Sequence, residues 1–227
     1  MLVAYAFNHG TSEDTRVLLI RAYNSFLIAG IASLLILVFC IFNGYNKIVN
    51  GNRKNKIIDF LSDFGYAVPG SVLAIALISV AAYIDSTTGY FITGTIFFLI
   101  IAYLIRFYTV ARQPIENLFN KLPQNLFNAS ASLGKRPLYT FVKVYLPILA
   151  PAFISVFLLV FIDVLKELPL TLILRPFNFE TLSTSVYGYA KVNESVVQAA
   201  PYSLLIITLG VAAILILKRI EKKYGVN

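Results

Sequence analysis

The chain predicts an all-α integral membrane fold of about five transmembrane helices, and three observations carry that expectation. Of its 227 residues 58% are apolar and only 13% charged. A soluble domain carries about a quarter charged residues, so this chain lacks the polar surface to cover a globule in water. Five long runs are nearly free of charge, each close to the roughly 20 residues that span about 30 Å of hydrocarbon. Lys and Arg collect in alternate connections between those runs, as they do when basic residues are retained on the cytoplasmic side.

The expected spans are 25–42, 66–84, 90–108, 146–165 and 199–217. They form one transmembrane domain over 25–223, preceded by an external segment 1–24 and followed by a short tail 224–227. The first run is uncharged and ends at polar Asn43-Gly44. No cationic stretch precedes it and no small-residue cleavage site follows, so it reads as a span and not as a cleaved signal. The second opens at Pro69-Gly70 and closes at Asp85, with Gly70 and Ala74 spaced for close packing against a neighbour. The third is interrupted only by Arg106 near its end, and the fifth stops at Lys218-Arg219. Continuous apolar runs exclude a β-barrel, whose strands alternate in polarity.

Counting basic residues by connection orients the bundle. Lys47, Arg53, Lys54 and Lys56, then Arg106, Arg112, Lys121, Lys135, Arg136 and Lys143, then Lys218, Arg219, Lys222 and Lys223 fall on one side. Only Arg16, Arg21, Lys166, Arg175 and Lys191 fall on the other. The N-terminus is therefore expected outside and the C-terminus in the cytoplasm, in a multi-pass inner-membrane protein. Topology accounts for most of the net charge of +8, so the expected partner is membrane lipid and not nucleic acid.

Enzyme chemistry has little to draw on. With one His (His9) and one Cys (Cys40, inside the first span) there is no intrachain disulfide and no Cys/His zinc set. Gly134-Lys135 lacks the glycine and the Ser or Thr of a phosphate loop, since Ala129 and Arg136 stand there. No catalytic residue, cofactor or metal ligand is expected, and any ATP must be used by a partner.

The long connection 112–147 is too polar to span and too regular to be a bare loop. Ile115, Leu118, Phe119 and Leu122 follow Pro114 at helical spacing; Leu126, Phe127, Ala131 and Leu133 lead into Gly134; Leu138, Phe141, Val142 and Tyr145 run to Leu146-Pro147. Short amphipathic helices on the cytoplasmic face, joined at Gly134, are the expectation. Further on, Asp163, Lys166 and Glu167 stand between apolar stretches and are followed by Pro169. Asp163 and Lys166 share a helix face and can neutralise each other. The group either faces a bundle interior or wet cavity, or forms hydrated anchors where the helix ends.

Two motifs carry a family resemblance. Asn128-Ala129-Ser130-Ala131-Ser132-Leu133-Gly134, nine residues, then Val144-Tyr145-Leu146-Pro147 resembles the cytoplasmic "EAA" signature of binding-protein-dependent ABC importer permeases. Gly134, Val144, Leu146 and Pro147 match in type and spacing and Ala129 matches the middle position; Asn128 replaces the Glu and Ser130 the second Ala. In that family the segment docks on a cytoplasmic ABC ATPase, which implies a coupling role for Asn128, Ala129, Ser130, Gly134, Val144, Leu146 and Pro147. Loss of the carboxylate at Asn128 removes one charge-assisted contact.

Asp163-Val164-Leu165-Lys166-Glu167-Leu168-Pro169, with 174–182 beyond it, is similar to the iron(III)-type branch, as are 66–70 and Thr93-Gly94-Thr95. The resemblance runs from about Asn24 onward and corresponds to the C-terminal half of a permease usually built of two fused halves. It implies a type I importer permease subunit, taking ferric iron across the bacterial inner membrane. Its implied partners are an ATPase, a periplasmic or lipid-anchored binding protein, and a second permease half or second copy. Asp163, Lys166, Glu167 and Pro169 become translocation-path candidates. Other cargo (thiamine, sulfate, phosphonate), an ATP-independent channel or secondary transporter, and a non-functional permease fragment remain the alternatives.

Overall fold

In a computed structural model, residues 12–49, 65, 67–123 and 125–224 are described. Among these residues the fold is all-α, and five helices are long and apolar enough to cross a membrane. Helix α1 is Ser12–Val49, α2 Gly70–Thr88 and α3 Ile96–Lys121. A short α4, Asn125–Ser132, precedes α5, which runs Pro137–Leu165 through one π turn at Phe141–Tyr145. Then come α6 Pro169–Leu174, α7 Leu182–Tyr187 with a π turn Gly188–Val192, and α8 Val196–Tyr224. Of the residues read from sequence, His9, Arg53, Lys54, Lys56, Tyr66 and the tail 225–227 lie outside the described set.

Lipid as solvent explains which residues face inward. In α1 the buried stripe is Ser25, Ile28, Ala29, Ala32, Ser33, Ile36 and Cys40, mostly small, while Phe26, Leu34, Val38, Phe39 and Phe42 are exposed. Between membrane helices the gain comes from close backbone approach, so small residues line the contact and large apolar ones meet the acyl chains. Helices α1, α3 and α5 form the centre; α8 packs on α5 and α7, and α2 packs mainly on α6. Only Gly70, Ala74 and Ala81 of α2 are buried. Its far end is tied to the connection that leads into α3 by Asp85, whose carboxylate accepts from Ile92 N at 2.6 Å and Thr93 N at 3.2 Å.

Two expected surface helices are parts of spanning helices instead. The set Ile115, Leu118, Phe119 continues α3, which passes Pro114 without a break. Buried Tyr103, Phe107, Ala111, Ile115 and Phe119 form one stripe at four-residue spacing, so the core-facing row runs straight through the proline. The set Leu138, Phe141, Val142 and Tyr145 is the first part of α5. Pro147 cannot donate a backbone hydrogen bond, and the π turn just before it, where Leu146 N bonds Phe141 O, absorbs the disturbance without ending the helix. Of the three expected surface helices only α4 is separate.

The α1–α3 crossing is closest at Gly44, where a Cβ would fall inside the Phe119 ring; Phe119 in turn packs on Phe141 and Phe153, both at 6.1 Å between centroids. Gly44→Ala should therefore cost about 1–3 kcal/mol through overpacking. Gly30→Ala, with nothing within 4 Å of its Cβ, should be neutral or gain up to roughly 1 kcal/mol from helix propensity. Unfolding in mixed micelles measures both, and equal stabilities for the two variants would contradict this crossing.

Candidate functional site

Two places on the bundle gather the residues singled out by sequence, one at each end of α5. At the C-terminal end, α5 stops at Leu165 and α6 begins at Pro169. Pro169 cannot donate to the helix and so forces the break, leaving carbonyls that need other partners. The backbone oxygen of Glu167 accepts from Thr171 Oγ1 at 2.7 Å and Ser183 Oγ at 2.9 Å. Tyr103 OH and Thr171 Oγ1 share a hydrogen bond of 2.5 Å, and Leu182 N donates to Ser25 Oγ at 2.7 Å. Two hydroxyls thus satisfy the Glu167 carbonyl at the break, and hydroxyls of two further elements, Tyr103 and Ser25, brace the residues around it inside an apolar bundle.

The three charged residues of this stretch separate. Asp163 and Lys166 pair at 2.7 Å, the i,i+3 contact their spacing allows, and the Lys166 side chain is 60% exposed. Glu167 turns inward with its side chain 9% exposed, against Arg106 Nε at 3.5 Å. Leu170 N donates to its Oε1 at 3.3 Å, and Arg106 Nη1 donates to Val68 O at 3.1 Å. The first turn of α2 lies directly on this pair: a Cβ on Gly70 would stand 2.9 Å from Glu167 Oε1 and 3.1 Å from Arg106 Cζ. Glycine is required there by close approach, beyond the small-residue packing read from Gly70 and Ala74. The surroundings of Ser25, Tyr103, Glu167, Thr171 and Ser183 leave no water-sized space.

Arg106 is the residue of this place that sequence reading put elsewhere. Counted among the basic residues of a cytoplasmic connection, it lies instead in the bundle interior. The signal was present: a single Arg in an otherwise apolar run is costly, and such a residue by default faces a partner inside the bundle. Tyr103, Thr171 and Ser183 gave no signal, because hydroxyls are common in membrane helices.

At the other end of α5, α4 closes in a Schellman turn. Gly134 has φ +70°, its N–H bonds Ala131 O at 2.9 Å, and Lys135 N bonds Ser130 O at 3.1 Å. Ser130 Oγ and Thr140 Oγ1 share a hydrogen bond of 2.5 Å, and Tyr145 OH donates to Pro123 O at 3.3 Å. The serine that stands where the resembled signature has Ala therefore fastens α4 to the start of α5. Asn128, Ala129 and Gly134 are exposed, and Leu133 (78%), Leu138 and Tyr139 are apolar residues left open around the turn. Val144 and Leu146 are half-buried against the core while Pro147 is exposed, so this second part of the signature shapes α5. The motif is two things in space: an open turn and a helix kink that aims it.

A family described as binding-protein-dependent transport system inner membrane component matches residues 37–226. The Fe(3+)-transport system permease protein FbpB 2 of Haemophilus influenzae is 28% identical over 196 residues, which is 86% of this chain and 38% of that protein. The spermidine/putrescine transport system permease protein PotC homolog of Mycoplasma genitalium is 28% identical over 207 residues, 88% of this chain and 70% of that protein. A chain of the MetNI methionine ABC transporter, solved in inward-facing conformations, superposes with a TM-score of 0.73 at 14% identity, covering 95% of this chain and 99% of its own. The chain thus spans well under half of the Haemophilus relative, and the MetNI chain shares its fold.

Removing one member of a buried ion pair strands the other. Arg106→Met should cost roughly 3–5 kcal/mol, and Arg106→Met with Glu167→Met together should recover most of it. A double-mutant cycle on unfolding in mixed micelles reads the coupling; additive losses would mean that the two side chains do not depend on each other.

Proposed function

Because the chain belongs to the family of binding-protein-dependent transport system inner membrane components, we propose that it is the membrane-spanning permease subunit of an ATP-driven importer and that its cargo is ferric iron. The observation that carries the importer reading is the open Schellman turn at Gly134, with Leu133, Leu138 and Tyr139 exposed beside it. An apolar cluster on a rigid turn, outside the spanning part of the bundle, suits a protein partner. The partner proposed is a cytoplasmic ATPase, since this chain has no phosphate loop and belongs to a transport family and not to an enzyme family. ATP is accordingly a ligand of that partner.

Helix α5 connects the turn to the broken helix at Glu167 over 29 residues, about 44 Å at 1.5 Å per residue. In this reading the ATPase moves the turn and α5 carries that movement to the Arg106–Glu167 pair, where the outward and inward states differ. Asp163, Lys166, Glu167 and Pro169 are translocation-path residues, with Arg106 added to them. A ligand or nucleotide state can shift the bundle only by its difference in affinity for the two arrangements. The second permease half is proposed against the thinly buried faces of α2 and α8, whose most apolar stretches are only 17% buried. A binding protein would meet the opposite, external side. The charge asymmetry that sets this orientation survives the removal of Arg106 from the count.

Iron is favoured by the Haemophilus relative, whose name states Fe(3+) transport. A polyamine is the second reading, favoured by the Mycoplasma relative, which this chain matches over 70% of its length. Both cargoes are cations. Proteoliposomes holding the chain with its ATPase, its binding protein and any second half should take up radiolabelled ferric iron only with ATP. Uptake of putrescine in its place moves the assignment to the second reading, and ATP-independent uptake of either would end the importer proposal.

Leu133→Asp should lower co-purification of the ATPase by at least about tenfold while membrane insertion is unchanged, as for a buried anchor at an interface. Asn128→Glu should strengthen it through one charge-assisted contact. An ATPase recovered equally with wild type and Leu133→Asp would remove the turn from the docking surface.

A further inference from the structure

A cavity of about 280 Å³ shares no lining residue with the surroundings of Glu167 described above and is walled by α7 with the α6–α7 connection, the π turn after α7, and the early part of α1. Arg21, Arg175, Glu180, Tyr187, Tyr189 and Asn193 line it. Its charges do not balance. Glu180 is spent: one carboxylate oxygen pairs with Arg175 and the other accepts from Thr184 Oγ1 at 2.8 Å. Arg175 is further committed to Phe179 O at 3.1 Å. That leaves Arg21 with no acidic partner among the described residues. Its guanidinium lies over the rings of Tyr189 and Tyr202, 5.3 Å from each centroid, and makes one hydrogen bond, to Tyr202 OH at 3.2 Å.

A guanidinium has five N–H donors in a rigid fork. Aromatic packing fixes this one at a cavity wall while leaving most of its donors for a ligand. Asn193 also lines the cavity, and among the described residues its side chain has no hydrogen-bond partner; the π turn holds its backbone, through Asn193 N to Gly188 O at 3.0 Å. We propose that this cavity is an oxyanion site that takes a phosphate-type group, with Arg21 as the charged fork and Asn193 as a second donor. The excess of positive charge excludes a cation, and planar paired donors match the oxygens of phosphate. The volume, just below the smallest usual ligand pockets of roughly 300 Å³, fits a headgroup-sized anion.

Helix α1 is 38 residues long, about 57 Å, and so exceeds the hydrocarbon by many residues. Arg21 near its start stands at headgroup level, where the phosphate can come from a lipid or from solution. The experiment has an arm for each source. The full chain, purified in phosphate-free detergent, is titrated with inorganic phosphate while its thermal midpoint is followed. In parallel, native mass spectrometry scores retention of phosphatidylglycerol.

Saturable stabilisation by phosphate assigns a dissolved anion, and retention of phosphatidylglycerol alone assigns the lipid; either supports the site. In the responsive arm Arg21→Gln should weaken binding by at least about tenfold, the value of a hydrogen bond to a charged group. Asn193→Ala, at an exposed residue outside the α1–α8 contact, should weaken it several-fold without changing the midpoint of the unliganded chain. It decides the matter if Arg21→Gln does not fold. No saturable response in either arm, or unchanged binding in both variants, overturns the proposal. Binding is read without ATP or cargo, so the result stands apart from the transport reading.

Discussion

A carboxylate held inside an apolar bundle has to be neutralised and hydrogen-bonded, and Glu167 is where this fold meets that demand. The residue sits in a helix break made by Pro169, so a charge and an orphaned carbonyl arise at one point. Satisfying both calls on every neighbouring element. Arg106 comes from α3, Thr171 from α6, Ser183 from α7, and α2 begins with a glycine because nothing larger fits over the ion pair. Ser25 of α1 reaches the same knot through Leu182. In lipid, an unmade hydrogen bond costs several kcal/mol with no water to relieve it, so these partners position one another strictly.

The rest of the packing is loose by comparison, in the way lipid permits. Small residues face inward along α1 and large ones face out, the reverse of a soluble helix, because acyl chains solvate Leu and Phe as well as a core does. Helix α2 follows this furthest: it is held by Gly70 against the charge pair and by Asp85 at the hairpin, with little between. A helix anchored at its ends and sparsely packed along its length can be re-seated at low cost, which suits the proposed transport role.

Legibility from sequence follows the same division. Length and hydropathy made the five spans readable, because the bilayer sets element length directly. Gly134 was readable as a turn, since the left-handed conformation there excludes most side chains. The Asp163–Lys166 pair followed from helical spacing. What failed was local punctuation. Pro114 and Pro147 read as helix boundaries by the rules of water-soluble helices, yet α3 and α5 pass both, because a membrane bundle repairs a lost bond with a π turn or a neighbour more cheaply than it exposes a helix end. Arg106 was misplaced for a related reason: charge counting treats every Arg as a loop residue, and only the tertiary partner Glu167, 61 positions away, marks it as internal. The Ser130–Thr140 bond was illegible because it depends on the angle between two helices.

In the proposed coupling, that angle decides how the two ends of α5 communicate. A movement applied at the Gly134 turn reaches α5 through Ser130–Thr140 and Tyr145–Pro123, at the π turn where the helix is most compliant. Were α5 free in lipid, Pro147 and Pro151 would let it bend and the movement would be lost within two turns. It is not free. Phe141, Tyr145, Leu149, Phe153, Val156 and Val160 bury one continuous face against the central helices. Bending would open that face along its length, whereas carrying α1 and α3 along keeps it closed. Close-packed interiors resist deformation and shift as units, so in the proposed coupling the compliant segment would set only the direction of the push, and the central helices would move together against α2.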